Sequence, residues 1–217
     1  MKLHPFVSTV AALRFENSFN PYVDRCEVYD RRDAPRCRAA SLSAMVNRAT
    51  EDSIDAIWVG RDLGYRGGRR TGLALTDDIH IARHAERWKL VAERLTIGAA
   101  VAERTAAVIW DILDQIELNV FLWNVFPLHP HHQNEPFTNR QHNTKERKAG
   151  EEILSMLFCL LRPARIIAIG NDAAASAKYV SGGIPVTCVR HPSYGGQGQF
   201  LRQMGDLYDI RHRNGLL

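Results

Sequence analysis

The sequence predicts an α/β fold: a three-layer α/β/α sandwich with a central four-stranded parallel sheet. Two observations carry this. Four short apolar runs are near-continuous rather than alternating, as strands covered on both faces require. Stretches of helical periodicity separate them, giving the order β-α-β-α-β-α.

Each element has a local reason. Residues 4–17 read as a helix with Phe6, Val10, Leu13 and Phe15 on one stripe. Residues 18–37 are charged and irregular, and Ala39–Ala49 is a second helix. The first strand is Asp55–Val59, followed by a glycine-rich loop from Gly60 to Thr76. Asp77 or Asp78 is placed to cap a helix over Ile79–Leu90. Ala99–Gln115 is a helix by propensity, with Ala102, Ala106, Ile109 and Leu113 on one face. Leu118–Trp123 is the second strand. A polar loop over 127–144 leads to a helix Lys145–Leu161, with Thr144 as its N-cap. Strand Arg165–Ile169, helix Asp172–Val180 (ended by Gly182 and Gly183), strand Pro185–Val189 and helix Gln197–Tyr208 complete the pattern. Trp110, Leu113 and Ile116 belong to the core.

The chain has 217 residues, 45% hydrophobic and 24% charged, which fits one globular domain over 1–217. No apolar run nears the roughly 18 residues that cross a bilayer, and the first residues lack the apolar stretch of a secretory signal. These features predict a soluble, cytoplasmic protein with no membrane partner. The net charge of +4 permits a nucleic-acid partner without requiring one. Cys26, Cys37, Cys159 and Cys188 form no Cys-x-x-Cys pair, which argues against zinc or an iron–sulfur cluster. Cys159 and Cys188, lying in apolar runs, read as buried free thiols.

Chemistry gathers where the strands end. The first runs into Gly60-Arg61-Asp62-Leu63-Gly64, the second into Asn124, the third into Gly170-Asn171-Asp172 and the fourth into Arg190-His191-Pro192-Ser193. In an open parallel sheet the ligand crevice lies beyond the carboxyl ends of the strands. Asp62, Asn124 and His191 are therefore expected to converge there. Taken singly, each also has an ordinary role: Asp62 as a turn cap, Asn124 as a hydrogen-bonded strand end, His191 as a loop histidine.

These three motifs, in this order, resemble the uracil-DNA glycosylase superfamily, in its bacterial branch without an iron–sulfur cluster. The string Asn124-Val125-Phe126-Pro127-Leu128-His129-Pro130 adds to the resemblance. It implies a monomer that needs no cofactor and acts on uracil in single- or double-stranded DNA, leaving an abasic-site product. It assigns Asp62 to the attacking water and the sugar cation, Asn124 to reading uracil, and His191 to the departing uracil anion. Gly60, Arg61, Leu63, Gly64, Tyr65, Leu75, Asn124 and Phe126 become the expected substrate-binding residues. Leu75 stands where the family has a Phe under the base, so Tyr65 or Phe126 is the alternative stacking partner. Gly64 stands where the common branch has a Tyr against the thymine methyl; Tyr65 or Arg66 is its expected substitute, and Leu63 replaces a Pro.

The loop Arg66-Gly67-Gly68-Arg69-Arg70-Thr71-Gly72 lacks a Walker ending. Arg66, Arg69 and Arg70 are instead expected on DNA phosphates, the other reading being a solvated loop. Ser193 is expected on phosphate as well. Tyr194, Gly195, Gly196 and Gln197 occupy the place of the family's DNA-inserting loop. Gly195 falls at the usual leucine, so Tyr194 or Gln197 is the expected wedge, unless Tyr194 packs on the last helix. The histidines of His129-Pro130-His131-His132 and His142 lack a familiar zinc spacing, so no metal is expected. Asn139, Arg140 and Lys145 are expected to share a surface with them. The leading expectation is a uracil-DNA glycosylase. The alternatives are a binding module for abasic or damaged DNA with little turnover, and a metal-dependent hydrolase.

Overall fold

The strands Ala56–Asp62 (β2), Val120–Phe126 (β3), Arg165–Ile169 (β5) and Val186–Val189 (β6) form one sheet in the order β3-β2-β5-β6. Every neighbouring pair is parallel. The computed structural model describes residues 2–210. The expected domain over 1–217 includes Met1 and residues 211–217, which lie outside the described residues. The other elements are α1 (Pro5–Ala12), β1 (Ser18–Phe19), α2 (Ala34–Glu51), α3 (Gly68–Thr71), α4 (Ile81–Arg87), α5 (Arg104–Leu113), β4 (His129–Pro130), α6 (Thr144–Leu161), α7 (Asn171–Val180) and α8 (Gln197–Tyr208). Strands β1 and β4 form a small antiparallel pair.

Side chains alternate across each strand and so divide the core in two. Ile57, Val59, Phe121, Trp123, Ile166 and Ala168 face a layer built from α1, α2, α4, α6 and α7. Ala56, Trp58, Val120, Leu122, Ile167 and Ile169 face a layer built from α5 and α8. This is the expected three-layer sandwich. Trp110, Leu113 and Ile116 are core, as expected.

Several boundaries move for identifiable reasons. Strand β2 runs on through Gly60 and Arg61 to Asp62, because Gly60 pairs with Asn124 and Asp62 with Phe126 in the parallel register. Strand β3 likewise continues through Asn124 to Phe126. Both polar residues thus sit within strands rather than in loops. Helix α1 stops at Ala12, so Leu13 and Phe15 lie beyond it. Helix α2 starts at Ala34, with a proline in its first turn. Helix α5 is shorter than expected, and Ala102 lies outside it, exposed. Asn143, not Thr144, caps α6: its side chain accepts from the backbone of Lys145 and Glu146. Glu146 returns a carboxylate to the Asn143 N–H, completing a capping box. Asp77 accepts from the backbone of Ile79 and His80 ahead of α4. Cys159 is exposed and Cys188 only partly covered, correcting the expectation that both are buried; Cys159 lies on the outer face of α6.

The arginine-rich loop is the largest surprise. Arg69 and Arg70 are buried at 4% and 7% exposure. Arg70 pairs with Asp78 at 2.7 Å and lies over the Tyr29 ring. Arg69 donates to the Tyr29 hydroxyl at 2.9 Å and lies over the Phe19 ring. Behind them Arg38, fully buried, pairs with Asp30 through both terminal nitrogens and donates through Nε to the Arg70 carbonyl at 2.8 Å. The loop is therefore a wall held from inside.

Removing one member of a buried pair leaves the other charge uncompensated. Arg38→Leu is expected to cost about 3–5 kcal/mol on that account. Urea unfolding measures it; an unchanged midpoint would contradict the role given to Arg38.

Candidate active site

A cleft of about 540 Å³ opens beyond the carboxyl ends of the four strands. Its walls include Asp62 from β2, Asn124 from β3, Gly170 and Asp172 around the start of α7, and His191 after β6. The three residues singled out in the sequence therefore share one cavity. Gly60, Arg61, Leu63, Gly64, Leu75, Ser193 and Tyr194 line it as well. A larger cavity of about 670 Å³ lies between the ends of α2 and α6, around Ile54 and Arg162, and contains none of these groups.

Asn124 is 2% exposed, and no described donor reaches its side-chain oxygen. A buried carbonyl without a partner costs about 1–3 kcal/mol, and the described protein groups do not offset that cost at Asn124. Its posture depends on Gly60: a Cβ there would lie 2.4 Å from Asn124 Oδ1. By alternation with Val120 and Leu122, Asn124 faces the α5 side of the sheet.

Asp62 is held between two partners. Oδ2 accepts from Arg61 Nε at 2.8 Å, and Oδ1 lies 2.5 Å from His142 Nδ1. Arg61 reaches on to Asp172 at 3.1 Å. Burial works against the Arg61 charge, but Asp62 and Asp172 outweigh it and raise its pKa. His142 stands just ahead of the α6 capping box. Arg140 braces that segment by gripping both oxygens of Glu146, at 2.6 and 2.7 Å. Ser18 donates to the same carboxylate at 2.8 Å.

His191 is held neutral. Burial, then Arg61 and Arg190, lower its pKa. The Ser193 backbone N–H donates to its Nδ1 at 3.1 Å, leaving Nε2 to carry the proton. The ring is thus a neutral hydrogen-bond donor. Ser193 Oγ lies 3.3 Å from Thr105 Oγ1, tying this loop to the start of α5. Tyr194 is fully exposed with φ of +52°, and Gly195 follows at +75°. Tyr194 therefore does not pack on α8.

Other expected site residues fall elsewhere. Phe126 is fully buried, with its ring against Phe15 and His142, so it supports His142 and cannot stack on a ligand. Tyr65 does not line the cleft; its hydroxyl accepts from Arg66 Nε. Arg66 is exposed and stays available to phosphate. Arg69 and Arg70 cannot serve phosphates, because their guanidiniums are committed inside. Gly196 is buried beneath His191, while Gly195 and Gln197 stand at the exposed rim. Among the histidines, His129 is internal: burial and Arg69 push its pKa down to about 3, and Nε2 donates to the Thr138 carbonyl at 2.9 Å. Among the described residues no cluster of three His, Cys, Asp or Glu side chains is arranged to hold a metal. No helix among them is long and apolar enough to cross a membrane.

Sequence reasoning missed His142 as the partner of Asp62 and Glu103 as a wall of the cleft. His142 carried a weak signal, since it precedes a capping box; Glu103 carried none.

No protein-family model and no curated protein matches the chain. Among solved structures it is similar to wild-type SMUG2 from Pedobacter heparinus, at 13% identity, with a TM-score of 0.55. The match covers 94% of this chain and 97% of that one. The likeness is one of fold: a four-stranded parallel sheet flanked by helices.

The tautomer of His191 is directly measurable. Nitrogen-15 NMR at pH 7 is expected to find Nε2 protonated and Nδ1 bare, with the ring titrating below the ordinary value of about 6.5. An imidazolium at pH 7 would contradict this geometry.

Proposed function

We propose that the protein is a monofunctional DNA glycosylase that hydrolyses the N-glycosidic bond of an extruded deoxyuridine. It releases uracil and leaves an abasic site for base-excision repair. The observation that carries this reading is the meeting of a carboxylate, a carboxamide and a neutral imidazole, Asp62, Asn124 and His191, around one cleft. The shared fold supports DNA glycosylase chemistry in general.

The reaction makes three demands. The C1′–N1 bond breaks with its electrons moving onto the base, so the sugar becomes cationic and the base anionic. Asp62 stabilises the sugar cation and takes a proton from the water whose oxygen bonds to C1′. Its two oxygens are engaged by Arg61 and His142 but keep further lone pairs for that water. His191 Nε2–H donates to uracil O2 as charge develops there, an electrostatic contribution aimed at the transition state. The departing uracil then takes a proton from solvent. Asn124 accepts from N3–H and donates to O4. Cytosine reverses both partners and would leave the buried amide unpaired. Leu75, with φ of +54° beside Asn124 and Gly60, packs on the base without π-stacking.

At the rim Tyr194, fully exposed, fills the gap left by the extruded nucleotide. Ser193 and Arg66 hold phosphates, with Gly195 and Gln197 shaping the rim. DNA contact here rests on fewer cations than the composition of the arginine loop implies.

Uracil release from a uracil-containing oligonucleotide, read by alkaline cleavage of the abasic site, tests the reading. Asp62→Asn and His191→Ala are each expected to slow single-turnover release about 10²- to 10³-fold with circular dichroism unchanged. Tyr194→Ala is expected to lose about tenfold on duplex and little on single strands. No release by the wild-type protein would reject the glycosylase. Tight abasic-site binding without release would favour a binding module instead.

A further inference from the structure

Glu103 is the one acid of the cleft wall with no task in this chemistry. It sits at the start of α5, on the same side of the sheet as Asn124. Its backbone N–H donates to Asp77 Oδ2 at 2.7 Å. Its carboxyl rests in a cradle of two glycines. A Cβ at Gly67 would lie 2.0 Å from Glu103 Oε2, and one at Gly64 would lie 2.9 Å from Oε1. A side chain at either glycine would collide with this carboxyl. No described donor hydrogen-bonds to it.

The groups facing it favour the protonated acid. Asp77, already bonded to His80 Nδ1 at 2.6 Å, presents a carboxylate from the segment before α4. Arg66 presents the opposing charge from the loop after β2. Across the cleft stand Asp62 and His191. Burial and Asp77 outweigh Arg66 and push the Glu103 pKa up to about 7.

We propose that Glu103 is a second base-reading residue, which enters the cleft as a neutral carboxylic acid and donates a hydrogen bond to the 4-carbonyl of the extruded uracil. This rests on the glycosylase reading above. A carbonyl oxygen has two lone pairs, and Asn124 uses one. Protonated Glu103 donates to the other, whereas ionised Glu103 can only accept, which suits the N4 amino group of cytosine instead. Ionised Glu103 has no proton to give, so the contact with uracil is lost and the discrimination weakens. Glu103 is therefore specificity-determining, and its contribution is switched by pH.

The test is the pH profile of kcat/KM on a uracil oligonucleotide from pH 5.5 to 9, for wild type, Glu103→Gln and Glu103→Ala. Wild type is expected to fall about tenfold across a midpoint near 7, the worth of one hydrogen bond. Glu103→Gln, whose amide donates at every pH, is expected to lack this fall and to match wild type within about threefold at pH 6. Glu103→Ala is expected to be low at every pH. A flat wild-type profile, or the same fall retained in Glu103→Gln, overturns the proposal.

Binding of an oligonucleotide carrying 2′-fluoro-2′-deoxyuridine separates this from the parent reading, because the fluorine disfavours the sugar cation and blocks cleavage. Binding that weakens above pH 7 in wild type but not in Glu103→Gln, with no uracil release from ordinary substrate, rejects the glycosylase and keeps the Glu103 contact. Release of uracil with pH-independent binding does the reverse. Neither release nor pH-dependent binding overturns both.

Discussion

Asp62 carries a charge into a cleft where it is only 8% exposed, and that placement organises everything around it. A carboxylate removed from water needs partners, and here they come from two directions. Arg61 approaches along the same strand and continues to Asp172 at the start of α7. His142 approaches from the segment before α6. One residue thereby ties β2, α6 and α7 together at the open end of the sheet. The supports follow in series. Arg140 and Asn143 fix the segment carrying His142 through Glu146, and Ser18 fixes Glu146 from the small sheet. Phe126, paired with Asp62 two residues beyond Gly60 and Asn124, backs the His142 ring.

The opposite wall is built differently. Residues 64–76 carry glycines and arginines, a composition that suggests mobility, yet Arg69 and Arg70 point inward. Asp78, Tyr29 and Phe19 receive them, and Arg38 with Asp30 supports the backbone from beneath. A guanidinium can be buried this way because its flat face stacks on rings while its edges reach carboxylates and carbonyls. The result is a rigid surface on which Leu75 keeps a left-handed backbone and Gly64 and Gly67 keep their room for Glu103.

Much of this was legible in the sequence because strand and helix periodicity are local. The third parallel strand and the last helix match the reading residue for residue, since their flanking glycines and charged residues leave little room for another boundary. Asp62, Asn124 and His191 were legible for a topological reason: strand ends in a parallel sheet share one edge. What failed was whatever depended on a distant partner. Composition does not distinguish an arginine facing phosphate from one facing Asp78. Phe126 looked like a stacking residue because nothing local shows that Phe15 and His142, both distant in the chain, enclose its ring. His142 lies 80 positions from Asp62 and announces nothing by itself. Glu103 reads as an ordinary acid within the helix expected over 99–115 until two glycines from another segment close around it.

The two walls therefore divide the chemistry by side of the sheet. On the α5 side stand Asn124, Leu75 and Glu103, one amide and one carboxyl around apolar surface, suited to a flat heterocycle whose edges must be read. On the α6 and α7 side stand His142, Arg140 and Asp172, polar and charged groups gathered around Asp62 and Arg61. His191 belongs to both, since its proton faces the cleft while its other nitrogen is spent on Ser193. A ligand that satisfied only one wall would leave the other's polar groups facing nothing. The extruded nucleoside proposed above, with its base in one half and its sugar in the other, is a ligand that would satisfy both at once.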